Sequence, residues 1–150
     1  MRSTGTLALL AVVVSSSVGC RGKMVATAVL SGPGTADVQF ESTGKPLVLW
    51  ADTEGSWIGD KRSRFPALYE IDVLSNGAKI GHVTCDTSTS TMRVCGTRVS
   101  VNNSRQGDCE LKLTCRLPPI PAGSASLHVT GSSGPGASNI KNMSINVREE

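Results

Sequence analysis

Along most of the chain, apolar residues alternate with polar ones or form short runs that end at Gly, Pro, Asn or Ser. These runs are rich in Val, Ile, Leu and Thr, and after residue 23 no stretch keeps apolar residues at helical spacing for three turns. The predicted strands cover residues 24–30, 37–41, 46–51, 68–74, 79–86, 91–101, 109–117, 126–130 and 140–148. Eight or nine strands at this spacing predict an all-β fold, an antiparallel β-sandwich of jelly-roll or immunoglobulin-like type.

Turn residues predict two hairpins. Ser75-Asn76-Gly77 favours a three-residue loop with glycine in the left-handed conformation. Residues 102–107 (NNSRQG) favour a second hairpin, and its symmetric closure places Cys95 opposite Cys115. That register puts the cysteines and leucines of residues 109–115 on one face. The opposite face is then a polar surface suited to a modest interface, made of Arg98, Ser100, Glu110, Lys112 and Thr114.

The first twenty residues follow a different pattern. Arg2 gives a positive start, the apolar run LALLAVVV covers residues 7–14, and SSSVGC follows. The run is shorter than the roughly 20 residues that a membrane-spanning helix needs, which favours an export signal. Residues 17–20, Ser-Val-Gly-Cys, resemble the cleavage site of a bacterial lipoprotein, in which the cysteine becomes the lipidated first residue.

This resemblance implies a signal peptide over residues 1–19 and one domain over residues 20–150, lipidated at Cys20 and anchored to a membrane. Residue 21 is Arg rather than the Asp that retains such proteins in the inner membrane, so a Gram-negative host implies the outer membrane. The competing interpretation is an ordinary secretory peptide that leaves Cys20 as a free thiol. Both interpretations predict export.

Cysteine spacing predicts disulfides in an exported domain. Five cysteines are present, and lipidation of Cys20 leaves four that can pair. If Cys109 and Cys115 lie on one strand, their α-carbons are about 20 Å apart, well beyond the roughly 7 Å that a disulfide tolerates. A bulge or bend near Cys109 would change this geometry. With the hairpin register above, the two predicted disulfides are Cys95–Cys115 and Cys85–Cys109.

Composition gives little sign of catalysis. The formal net charge of +3 falls to +2 if Arg2 is removed with the signal peptide, and the sequence contains no run of like charges. A nucleic-acid partner is therefore not expected. His82 and His128 lie within strand patterns, with no Gly-x-Ser-x-Gly motif or phosphate-binding glycine loop in the sequence. They are interpreted as structural or surface histidines, and the protein is predicted not to be an enzyme.

Residues 51–60 (ADTEGSWIGD) are the best candidate for ligand binding. Asp52, Glu54 and Asp60 are oxygen ligands of the kind that calcium prefers, although their spacing matches no EF-hand. No other cofactor is predicted. Trp57 is suited to stacking on a sugar ring. The alternatives are that the carboxylates only solvate a turn and that Trp57 packs on the core.

These observations predict a lipid-anchored cell-envelope protein that acts as a non-catalytic binding or assembly module with an envelope protein as its partner. The alternative is a carbohydrate- or calcium-dependent binding sandwich centred on residues 52–60.

Overall fold

The computed structural model describes residues 22–30, 32–58, 67–89, 92–101, 104–133 and 139–150. Most of these residues form strands, in which β-branched and apolar side chains alternate with polar ones. The strands are β1 Met24–Leu30, β2 Gly34–Ser42, β3 Leu47–Ile58, β4 Ala67–Ser75, β5 Ala78–Asp86, β6 Met92–Val101, β7 Ser104–Arg116, β8 Gly123–Ser133 and β9 Asn139–Glu149. A single 3₁₀ turn in this part of the chain covers Thr87–Thr89. The predicted signal peptide and Cys20 lie outside the described residues.

The strands form two sheets that pack face to face. The five-stranded sheet has the order β1-β9-β3-β7-β6, and the four-stranded sheet has the order β2-β8-β4-β5. Every described pair of neighbouring strands is antiparallel. The predicted antiparallel β-sandwich is therefore confirmed.

The core lies between the sheets, where strands such as β4 and β8 contribute every second residue. In β4, for example, Tyr69, Ile71 and Val73 are fully buried. A slip of one residue would turn this apolar set toward solvent, so burial of one face fixes the register. Fully buried apolar side chains come from the five-stranded sheet (Leu49, Leu111, Met143, Ile145 and Val147) and from the four-stranded sheet (Tyr69, Ile71, Val73, Leu127 and Val129).

The hydroxyl of Tyr69 joins the two sheets across the core. It donates to the Asp52 carbonyl of β3 at 2.7 Å. The buried Thr53 hydroxyl lies 2.7 Å from the same oxygen, and it donates because the single phenolic proton is already used. Burial raises the pKa of Tyr69 to about 12. This polar bridge ties the four-stranded sheet to the strand that carries the predicted site.

The turn between β4 and β5 is shorter than predicted. Ser75 pairs with Ala78, so the loop has two residues, Asn76 and Gly77, with positive φ values of 48° and 80°. Positive φ at both central positions is the requirement of a type I′ turn, which Asn-Gly meets well. The irregularity in the pairing of β4 with β5 lies just before this turn, between Val73 and Leu74 of β4.

The predicted register of the β6–β7 hairpin is wrong. Val101 pairs with Ser104, so two residues separate the paired strands, whereas the predicted register leaves seven, residues 102–108. The polar residues 104–107, expected to form a loop, belong to β7 and pair with β6. This change places Cys95 opposite Cys109 instead of Cys115.

Both predicted disulfides, Cys95–Cys115 and Cys85–Cys109, are wrong as a consequence. Cys85 of β5 is bonded to Cys115 of β7, with α-carbons 6.2 Å apart. The two strands belong to different sheets, so this disulfide crosses the sandwich. Cys109 is also disulfide-bonded.

Candidate functional site

The segment that carries the predicted ligand-binding residues is a strand and not a loop as far as Ile58. β3 continues to Ile58, although Asp, Glu and Gly are uncommon in strands. Ala51 and Thr53 are buried toward the core, while Asp52 is half-buried and Glu54 is exposed on the other face. The alternation of small inward residues with polar outward ones explains why the strand continues through acidic residues.

The predicted calcium ligands are only partly described. Asp52 and Glu54 share the outer face of β3. Asp60 and the side chain of Trp57 lie outside the described residues, although the Trp57 backbone pairs with Gly107. In the described ranges, no three His, Cys, Asp or Glu side chains are grouped so that they could hold a metal ion. Calcium binding stays a prediction.

Polar side chains surround Trp50 on the outer face of the five-stranded sheet. β3 lies between β9 and β7, so each outward residue of β3 has a neighbour on both sides. Asp52, for example, lies opposite Lys112 of β7 and Ser144 of β9. The outer-face cluster is defined here as Trp50, Asp52, Glu54, Glu110, Lys112, Asn142 and Arg148.

Arg148 and Trp50 form the aromatic part of this cluster. The guanidinium carbon of Arg148 lies 5.4 Å from the centroid of the Trp50 ring, within the range of a cation–π contact. Arg148 Nη1 also donates to the carbonyl of Gly22 at 3.3 Å. The guanidinium is therefore held between the tryptophan ring and the residues that precede β1.

The acidic part of the cluster contains two glutamates directly opposite each other, Glu54 and Glu110. Like charges in this position repel each other. Lys112 Nζ lies 2.9 Å from Glu110 Oε1, and the Asn142 amide donates to Glu54 Oε2 at 3.1 Å. These contacts offset part of the repulsion while both carboxylates stay on the surface.

Asp52 has an unusual environment for an outward-facing carboxylate. Burial raises the pKa of Asp52, the positive charge of Lys112 lowers it, and the negative charges of Glu110 and Glu54 raise it further. Its Oδ1 is buried and accepts no hydrogen bond from the described residues, and Arg148 Nε likewise has no acceptor there. Buried polar atoms nearly always have a partner, so these two atoms set Asp52 and Arg148 apart from the other side chains of the cluster.

The outer face of the four-stranded sheet carries an acid–histidine row. Asp37 of β2, His128 of β8, Asp72 of β4 and His82 of β5 lie opposite one another across the four strands. Nδ1 of His128 lies 2.6 Å from Asp37 Oδ1, and Nδ1 of His82 lies 2.6 Å from Asp72 Oδ1. Lys79 Nζ lies 2.7 Å from the same Asp72 oxygen, and hydrogen bonds from Lys79 and His82 lower the pKa of Asp72.

Asp72 and His82 flank the predicted hairpin at residues 75–77, but Asp37 and His128 lie far from them in the sequence, so the sequence alone did not group all four. The two histidines are exposed, as predicted for surface residues. Thr84 Oγ1 lies 3.5 Å from His82 Nε2, at the limit of a hydrogen bond. In this row Asp37, His82 and His128 are exposed and Asp72 is half-buried.

Within the described segments, no helix has the length and apolar character needed to cross a membrane. Comparison with known proteins found no family model and no curated protein that matches the chain. Functional inference for this protein therefore rests on its own residues.

Proposed function

We propose that the chain is a lipid-anchored cell-envelope protein that binds a partner protein through the outer-face cluster and catalyses no reaction. The observation that carries the proposal is the contact of Arg148 with Trp50 beside Asp52, whose Oδ1 has no partner in the described structure. Tryptophan and arginine are the residue types that most often dominate the binding energy of protein interfaces. The charged residues around them would form the polar rim of such an interface.

Anchoring through Cys20 rests on the leader of residues 1–19 and on the odd number of cysteines. The first strand begins at Met24, so only three residues separate it from the anchor. In a Gram-negative host, Arg21 would favour the outer membrane. An intact mass of the protein purified from its native membrane tests this part: a chain that starts at Cys20 and carries diacylglyceryl and acyl groups supports it. A mature chain without lipid contradicts it.

Site-specific photo-cross-linking tests the binding surface. A photoreactive residue at Thr114, exposed and opposite Trp50, should capture one defined envelope protein in living cells. The same probe at Gln39, exposed on the four-stranded sheet, is the control and should capture much less of it.

A matched pair of charge reversals tests the chemistry of that surface. Glu54→Lys should lower the cross-link yield from Thr114 at least threefold, roughly the effect of 0.7 kcal/mol in binding. Glu70→Lys reverses an exposed charge on the other sheet and should leave the yield unchanged. Equal capture from both faces, or equal effects of both reversals, would reject the outer-face cluster as the interface.

The second candidate is a carbohydrate- or calcium-dependent binding module on the same face. It is favoured by the position of Asp52 and Glu54 beside an aromatic ring, that of Trp50. Retention on a cell-wall polysaccharide resin that Trp50→Ala or Trp57→Ala abolishes would establish this function in place of the first. Calorimetric titration with Ca²⁺ tests the metal, and Asp52→Asn should weaken any binding that is seen.

A further inference from the structure

The chain contains two histidines, His82 and His128, and the fold brings both to the acid–histidine row of the four-stranded sheet. β4 lies between β5 and β8 in this sheet, so Asp72 of β4 is the cross-strand neighbour of both histidines. Neighbouring strands lie about 4.8 Å apart, so each histidine is one strand away from Asp72. Three adjacent strands therefore place two imidazoles and one carboxylate side by side.

The hydrogen-bond partners of the two imidazoles decide which ring nitrogens are directed to Asp72. Nδ1 of His128 lies 2.6 Å from Oδ1 of Asp37 on β2, which is on the other side of β8 from β4. Because the two nitrogens of an imidazole point in different directions, Nε2 of His128 is the nitrogen that can turn toward Asp72. Nδ1 of His82 already lies 2.6 Å from Asp72 Oδ1, while its Nε2 lies 3.5 Å from Thr84 Oγ1.

We propose that His82, His128 and Asp72 together bind a divalent transition-metal ion such as Zn²⁺. Imidazole nitrogens favour Zn²⁺, Ni²⁺ and Cu²⁺ over the hard ions that prefer oxygen. Two histidines and one carboxylate are a ligand set that Zn²⁺ accepts, with water in the fourth position. Asp37 would hold the other nitrogen of His128, which is the role that carboxylates often have beside metal-bound histidines.

Lys79 occupies the position of the ion in the described conformation. Its Nζ lies 2.7 Å from the same Asp72 oxygen that contacts His82. With the ammonium group in place the three ligand groups do not surround a common point, in keeping with the absence of a preformed metal cluster among the described residues. The side chains of Lys79, His82 and His128 are 55%, 45% and 47% exposed, so an ion can displace the ammonium group without disturbing the core.

Calorimetric titration of the purified full chain with Zn²⁺ tests the site at about pH 7.5, because metal-binding histidines must be neutral. One Zn²⁺ should bind per chain with a dissociation constant below roughly 0.1 mM. His82→Ala and His128→Ala should each weaken binding at least about tenfold, since even the loss of an outer-shell partner typically costs that much. Lys79→Gln should instead strengthen binding, because it removes the ammonium group that competes for Asp72.

A matched pair of carboxylate variants separates coordination from overall charge. Asp72→Asn should weaken Zn²⁺ binding at least about tenfold. Glu70→Gln removes a charge one row away on the same strand and should change the affinity less than about twofold, because exposed charges are screened.

Nitrogen NMR of the imidazoles identifies the ligating atoms in the wild-type protein. The signals of His82 Nδ1 and His128 Nε2 should shift together as one equivalent of Zn²⁺ is added. Failure of the wild type to bind Zn²⁺ at roughly 0.1 mM would overturn the proposal. Binding that survives in both histidine variants would place the ion elsewhere, such as at an unlipidated Cys20, and would overturn it too. The row lies on the sheet opposite the outer-face cluster, so neither result bears on the proposed function.

Discussion

The buried hydroxyl of Tyr69 allows the link between the two sheets to be measured. Tyr69→Phe keeps the ring and removes the donor to the Asp52 carbonyl and the acceptor of the Thr53 hydroxyl. Each buried polar group left without a partner costs about 1–3 kcal/mol, so two of them should lower the free energy of unfolding by about 2 kcal/mol at the low end of this range and by about 4 kcal/mol at its middle. For a domain of this size, Tm should fall by roughly 6–12 °C.

The same hydroxyl predicts an alkaline dependence of stability. Burial raises the pKa of Tyr69 from 10.0 to about 12. The folded state therefore holds the proton more tightly than the unfolded chain, so this stabilisation is complete below about pH 10 and is lost as the pH rises through about 12. The loss amounts to roughly 2–3 kcal/mol. Tyr69→Phe has no such proton and should lack this part of the alkaline loss.

Urea unfolding followed by circular dichroism, with the disulfides intact, measures both effects between about pH 8 and about pH 12. Thr53→Val and the double variant complete a mutant cycle. Because Thr53 and Tyr69 contact each other, the double variant should lose less stability than the two single variants together, by about 1 kcal/mol. A loss below about 0.5 kcal/mol for Tyr69→Phe, or an alkaline profile identical to wild type, would refute the bridge.

Three further changes test other parts of the structure. Burial raises the pKa of Asp52, so at neutral pH Asp52→Asn should be as stable as wild type or more stable by less than about 1 kcal/mol. In thermal melts this difference should vanish below about pH 4. A large loss of stability at neutral pH would contradict the prediction. Hydrogen bonds from its partners lower the pKa of Asp72, so Asp72→Asn should be less stable than wild type above the ordinary pKa of 3.8. The difference in stability between the two proteins should disappear as the pH falls further. A difference that persists in acid would exclude these hydrogen bonds as its cause. A non-reducing digest should yield a peptide that joins Cys85 to Cys115, and replacing both with Ala should cost about 3–4 kcal/mol for a separation of 30 residues.

The strands could be predicted where burial of one face leaves a local mark on the sequence. Residues 69–73 alternate as a half-buried strand should, and the structure buries Tyr69, Ile71 and Val73 completely. The prediction failed where a strand contains residues that favour turns. Residues 52–58 and 104–107 continue their strands because long neighbours pair with them, and this stabilisation is invisible in local propensity.

The candidate site shows the same division between local and distant information. Asp52 and Glu54 could be grouped from sequence because they lie in one short acidic segment, which was interpreted as a loop; on β3 they also share a face. Arg148 and Lys112 join them only because β3 lies between β9 and β7. The predicted disulfides depended on register in the same way, since a change of loop length in one hairpin placed Cys95 opposite Cys109 instead of Cys115.

The residues before β1 connect the proposed anchor to the end of the sandwich. The carbonyl of Gly22 accepts a hydrogen bond from Arg148, and the carbonyl of Lys23 accepts one from the Glu149 backbone at 2.9 Å. A lipid on Cys20 would hold this end of a single sandwich close to the membrane. Val48 lies opposite Arg148, and Glu54 is six residues farther along β3. Glu54 would therefore lie about 20 Å from this end of the sandwich, measured along the strand.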